Sequence, residues 1–233
     1  MGSFAAMRRS ERFSGRNEAA IGLGTYALYL GVRALKLRSG GRERAARNAE
    51  RLVGLERRLG LHLEPALQRA LLPRTRLVAG LNAAYVTLNV GLTVGWLMHL
   101  HRRRDPAFHR IRRAAVAATL GAQPVFLLFP VAPPRALEGF VDTVEAVSGI
   151  DLDRGLVAEL YDPIAAMPSI HVAYAVVTAE ALAATARSGI VRGAARIYPP
   201  AVAVVVLVTA NHFVLDAVAG ALLGRAALRF TER

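Results

Sequence analysis

The chain has 233 residues, 54% of them apolar, a mean hydropathy of +0.33 and a formal net charge of +13. It contains no cysteine, which excludes disulfides and thiolate chemistry. Its basic residues are almost all arginine, with Lys36 the one lysine, and they flank apolar segments; this argues against nucleic acid and for anionic lipid headgroups as partners.

Residues 1–18 are polar and basic and read as a cytoplasmic tail. Arg8, Arg9, Arg12 and Arg16 precede an apolar stretch, but Arg33, Lys36 and Arg38 follow it where a small-residue cleavage site would stand. A retained first span is therefore expected over residues 19–37, with Arg33 and Lys36 snorkelling at its end. From Arg42 to Gly60, the residues Ala45, Ala49, Leu52, Val53 and Leu59 recur near helical spacing among Arg44, Arg47, Arg51 and Arg58. That is the pattern of an amphipathic helix, which Gly60 ends. Pro65 suits a first helical turn, so a second short helix is expected to run to Leu72. Both can lie at the membrane surface. Residues 19–76 thus form one unit, a first span with interfacial helices, and residues 77–233 form the core.

Residues 77–100 carry no Asp, Glu, Lys or Arg and meet the roughly 20 apolar residues that cross a bilayer. Further spans are expected over residues 114–129, 169–186, 197–210 and 213–228. The fold class is then all-α, a polytopic membrane bundle of about six transmembrane helices. Arginines in the tail, in the 101–113 and 187–196 loops and at Arg225 and Arg229 mark the cytoplasmic side. The acidic 135–168 loop and the turn at Asn211 then face outward. The Arg-rich 38–76 connection also lands outside: either its helices fold onto outer headgroups, or the first segment does not span.

Three ionisable side chains fall at span ends on that outward face. His171 lies just inside the fourth span, in Met167-Pro168-Ser169-Ile170-His171, and His212 and Asp216 open the sixth. Ionisable groups at membrane depth are costly and are usually functional or paired. The His212–Asp216 spacing puts both on one helix face, where the carboxylate can accept from one imidazole nitrogen and leave the other basic. A second histidine across the site can protonate a leaving oxygen. Two histidines and one carboxylate also make a metal set, but no further ligand completes it, and no metal or cofactor is expected. His99 and His101 read as polar span ends, His62 and His109 as interfacial, Asp151 and Asp153 as a solvated loop, and Gly220 with Gly224 as a close helix contact.

Pro168-Ser169-Ile170-His171, followed by Asn211-His212-Phe213-Val214-Leu215-Asp216, resembles the signatures of the type 2 phosphatidic acid phosphatase (PAP2) superfamily. The likeness is closest to its inositol-phosphorylceramide synthase and sphingomyelin synthase branch. Phe129-Pro130-Val131-Ala132-Pro133-Pro134-Arg135, Gly139-Phe140-Val141-Asp142-Thr143, Glu56-Arg57-Arg58-Leu59-Gly60 and Glu64-Pro65-Ala66-Leu67-Gln68 carry it further, over roughly residues 50 to 228. Where the wider superfamily has Ser-Arg before its last histidine, this chain has Val205 and Val206. Asn89, after Tyr85, stands where that branch has histidine.

The resemblance implies a multi-pass cell-membrane enzyme with its site on the extracytoplasmic face. It implies that His212 attacks the phosphorus of a lipid phosphate ester to form a phospho-histidine. Asp216 would orient His212, and His171 would protonate the departing alkoxide and then activate the acceptor. Arg135, Ser169 and Asn211 would bind phosphate, and Tyr85, Asn89 and Asp142 are candidate substrate contacts. Transfer of a phospho-headgroup to an alcohol or lipid acceptor is the first expectation. Hydrolysis as a lipid phosphate phosphatase is the second, and a non-enzymatic membrane scaffold is the alternative of another class.

Overall fold

A computed structural model describes residues 13–38, 40–152 and 162–232. Every regular element among them is helical; a single isolated bridge pairs Val131 with Ala165. Helix α1 (Gly15–Arg38) lies along α6. Helix α2 (Gly41–Leu59) buries Ala45, Ala49, Leu52 and Glu56, spaced by four, three and four residues, and ends at Gly60 in the left-handed conformation with φ 69°. Pro65 sits in the first turn of α3 (Glu64–Leu71). The expected second span is broken into α4 (Thr75–Ala83), a π-helical turn (Ala84–Leu88) and α5 (Asn89–Arg102), with a bend of 47° between its halves. Such turns occur inside helices, frequently at functional sites, and here the turn carries Tyr85, which is buried.

The remaining elements are α6 (Phe108–Leu128), a 3-10 turn (Pro134–Ala136), α7 (Thr143–Ser148), α8 (Ile170–Thr185), α9 (Gly189–Val208) and α10 (Val214–Phe230). Helix α8 is the centre, packed against α5, α6, α9 and α10. Its contact with α10 depends on glycine: a Cβ at Gly220 would stand 2.2 Å from the Ser169 carbonyl oxygen, and one at Gly224 would stand 2.7 Å from that of Ala173. Backbone can approach that closely only without a side chain. The starts of α8 and α10 and the end of α9 share one end of the bundle with α2 and α3. At the other end, Arg110 pairs with Glu180 and Glu232, and Arg112 with Glu18.

Several sequence expectations change. Lys36 does not snorkel: it is buried, its Nζ 2.6 Å from Asp162 Oδ2 and 5.2 Å from the centre of the Phe126 ring. The apolar stripe of α2 packs on Val131, Ala132, Ile164 and Phe213, while Arg42, Arg47, Arg51, Arg57 and Arg58 face out. Arg192 and Arg196 lie within α9, which starts eight residues earlier than expected because nothing before Pro199 breaks it. Among the described residues, Gly189–Val208 is the one helix long and apolar enough by itself to cross a membrane. The bent pair Thr75–Thr87 and Val90–Arg102 qualifies jointly, and Ile170–Thr185 is apolar but shorter. The fold is therefore all-α, with fewer self-evident spans than six. Charges within α1 and in the first turns of α6, and the 17-residue length of α10, dilute the signal elsewhere. Asp153 and Glu159 lie outside the described residues.

Candidate active site

The loop from α9 to α10 aims His212 by folding back on the helix it leaves. The Val206 carbonyl accepts from the backbone N–H groups of both Asn211 (3.0 Å) and His212 (3.1 Å). This reversal puts Ala210 at φ 52°, a left-handed conformation that costs a non-glycine residue about 1–2 kcal/mol. The Ala210 carbonyl accepts the Arg135 N–H at 2.8 Å. Beyond His212, Asp216 Oδ2 accepts the Phe213 N–H at 2.9 Å and fastens the first turn of α10.

Nδ1 of His212 lies 2.8 Å from the carbonyl oxygen of Ala166 and 3.6 Å from Asp216 Oδ2. A carbonyl oxygen only accepts, so Nδ1 carries the proton and Nε2 is the basic nitrogen. Sequence spacing assigns that orienting bond to Asp216. The structure gives it to Ala166, and the buried Asp216 carboxylate stands one step back as an electrostatic neighbour.

His171 comes from the start of α8. Ser169 caps that helix, its Oγ accepting the Val172 N–H at 3.3 Å, while its own N–H donates to the Asp216 carbonyl at 3.0 Å. The starts of α8 and α10 are thus tied backbone to backbone. The rings of His171 and His212 are 5.6 Å apart between centres and inclined by 62°, and Tyr85 stacks on His171 at 4.5 Å. All three rings line a cavity of about 1160 Å³ whose walls include Val86, Val90, Val94 and Ile170. That exceeds the roughly 300–1,000 Å³ of small-ligand pockets and leaves room for a lipid chain.

Arg135 is buried beside this loop. Its Nε donates to Asn211 Oδ1 at 3.1 Å and its Nη1 to Asp142 Oδ2 at 2.7 Å. Asn211 Nδ2 donates to the carbonyl (3.1 Å) and hydroxyl (3.0 Å) oxygens of Thr209. Asp142 Oδ1 also caps α7 through the N–H groups of Val144 and Glu145. The side chain of Asn89 lies outside the described residues.

Three groups without a role in the sequence expectations hold α10 from outside or stand beside it. Glu64 Oε1 accepts the Val214 N–H and Glu56 Oε1 the Leu215 N–H, each at 2.7 Å. His62, expected at an interface, turns inward with Nδ1 3.4 Å from Glu64 Oε2 and 3.9 Å from Glu56 Oε2. Burial, followed by the neighbouring carboxylates of Glu64 and Asp216, pushes the Glu56 carboxyl up to about 8, against the lowering bond from Leu215. One signal was legible: Glu56 continues the buried stripe of Ala45, Ala49 and Leu52, where an acid needs a partner.

A family model described as the PAP2 superfamily matches residues 50–230. No curated protein and no solved structure matches the chain.

Proposed function

The chain belongs to the PAP2 superfamily, and from that premise we propose that it is a membrane phosphotransferase. In this reading a phospho-headgroup, of the inositol-phosphate kind, moves from a lipid donor to an alcohol or lipid acceptor through a phospho-histidine on His212. Superfamily membership makes the protein an enzyme of the phosphatase or phosphotransferase kind, acting on lipid phosphate esters. The observation that carries the finer reading is the pair of imidazoles opening on one largely apolar cavity, with His212 Nδ1 held by Ala166 so that Nε2 is the nucleophile.

Nε2 of His212 attacks phosphorus. The bond to the donor oxygen breaks, and that oxygen takes a proton from His171, which the negative charge of the bound phosphate favours in its protonated form. The phosphorylated His212 ring is positive, and the Asp216 carboxylate offsets that charge. Neutral His171 then takes the proton of an acceptor hydroxyl, whose oxygen attacks the same phosphorus. The P–N bond breaks, and both rings return to their starting states. Arg135 beside Asn211 supplies positive charge near the phosphate oxygens, and the Ser169 hydroxyl and the start of α8 add donors.

The membrane reading takes α1, the α4–α5 pair, α6, α8, α9 and α10 as six spans, with the histidines outside. Large apolar side chains exposed on several of these helices, among them Leu23, Leu120, Ile197, Val204 and Leu222, support a lipid-facing surface. The arginine face of α2 suits anionic headgroups at the same end. Because the chain lacks cysteine, single cysteines report its orientation. An impermeant maleimide should label Glu138→Cys but not Arg103→Cys in intact cells; the reverse pattern refutes an outward site.

The deciding experiment gives purified protein a labelled lipid phosphodiester with and without a polyol acceptor. Acceptor-dependent transfer and an acid-labile phosphoenzyme are expected. His212→Ala should lose both, with a rate loss of at least about a thousandfold. Release of water-derived product irrespective of acceptor would make the enzyme a phosphatase, and a wild-type rate in His212→Ala would make it a scaffold.

A further inference from the structure

Outside the cavity, three buried polar atoms converge, Glu56 Oε2, Glu64 Oε2 and His62 Nδ1, and none meets a hydrogen-bond partner outside the cluster among the described residues. Both glutamate side chains are wholly buried. No lysine or arginine among the described residues pairs with either, and Asp216 is buried nearby. Buried carboxylates without a cation are expensive, so this corner of the protein calls for positive charge.

The separations say what kind. Hydrogen-bonded N···O pairs close to about 2.7–3.0 Å. Here the nitrogen stands 3.4 and 3.9 Å from the two oxygens, and all three atoms lie within 4.8 Å of one another. Ligands bonded at about 2.0–2.1 Å to one tetrahedral ion stand about 3.3–3.4 Å apart. The His62–Glu64 separation is too open for a good hydrogen bond and matches the spacing of ligands sharing an ion, while Glu56 Oε2 stands further out, at 3.9 Å from the same nitrogen. An imidazole nitrogen with two carboxylates suits zinc and its transition-metal neighbours. Magnesium and calcium prefer all-oxygen shells with more ligands.

We propose that Glu56, His62 and Glu64 bind a divalent transition-metal ion, best zinc, through Oε2, Nδ1 and Oε2. The other oxygen of each carboxylate already holds an N–H of the first turn of α10, at Val214 and Leu215. An ion here locks α2 and α3 against the turn that leads from His212 to Asp216. The three residues are positioning residues; none lines the cavity. The site stands whether the enzyme transfers or hydrolyses.

Full-length protein in detergent, freed of any affinity tag and stripped with chelator, is titrated with zinc against a chromophoric competitor, and bound metal is measured after gel filtration. Wild type should take up about one zinc per chain and gain thermal stability. His62→Gln and Glu64→Gln should lose that uptake and that gain, while His212→Ala keeps both. Absence of uptake by folded wild type overturns the proposal. Uptake that disappears in His212→Ala and persists in His62→Gln overturns it too, because the metal then belongs to the catalytic histidines.

Discussion

The two ends of the bundle treat charge in opposite ways. At the histidine end, Lys36 meets Asp162 at 2.6 Å with side chains 0% and 2% exposed. At the other end, Arg110 meets Glu180 at 3.4 Å with side chains 26% and 44% exposed. His212, Asp216, Asn211, Ser169 and Arg135 are all buried at the first end, and most have named partners at fixed distances. The paired arginines of the second end are part-exposed, and the acids Arg110 meets are more exposed still. Where charge is buried, each group depends on one partner and its loss is costly. Where charge is wet, geometry is loose and substitution is cheap. Chemistry that needs a nitrogen held in one tautomer fits only the first environment.

That contrast is broken most severely at Asp216. Asp216→Asn removes the charge facing the His212 ring while leaving an oxygen to accept the Phe213 N–H. The turnover of the headgroup-transfer reaction should fall about 10²–10⁴-fold, with the far-ultraviolet helix signal kept; an unchanged turnover would make the carboxylate purely structural. Lys36→Met comes next. It leaves Asp162 buried without its partner, which costs about 3–5 kcal/mol, read as a large drop in the unfolding midpoint. Restoring stability with Asp162→Asn in the same chain would identify the orphaned charge as the cause. Gly220→Ala is smaller again. Its methyl meets the Ser169 carbonyl, and overpacking of this kind costs about 1–3 kcal/mol. It should also lower activity, since Ser169 ties the start of α8 to Asp216; a variant as stable and active as wild type would mean that α8 and α10 can part there freely.

The sequence made the histidine end legible where function depended on local spacing. His212 and Asp216 sit four apart, His171 follows Ser169 at a helix start, and the glycines of α10 announced a close neighbour. It concealed what depends on distant chain. The Ala166 carbonyl that holds Nδ1 is 46 residues from His212, and Glu56 and Glu64 reach α10 across 159 and 150 residues. An amphipathic stripe declares that a helix will be covered without saying by what, so α2 could be read as lying on lipid when its cover is Phe213 and Val131. Lys36 is ambiguous in sequence for the same reason: snorkelling and pairing both satisfy a lysine at a span end, and only the position of Asp162 decides between them.

The wet end supplies the smallest expected effect and the sharpest control. Arg110 reaches Glu180 at 3.4 Å and Glu232 at 3.9 Å, and both acids are well exposed. Coulomb attraction across such distances is screened by water and salt, and the long side chains must be ordered to realise it. Exposed pairs of this geometry contribute about 0–1 kcal/mol. Arg110→Ala should therefore shift the unfolding free energy by no more than about 0.5 kcal/mol, leave transfer activity at wild-type level, and show less effect still as salt is raised. A double-mutant cycle with Glu180→Ala measures the coupling itself. A coupling comparable to that of Lys36 with Asp162 would mean that the Arg110 end is not solvated as its exposure indicates, and that headgroups or another chain cover it in the membrane.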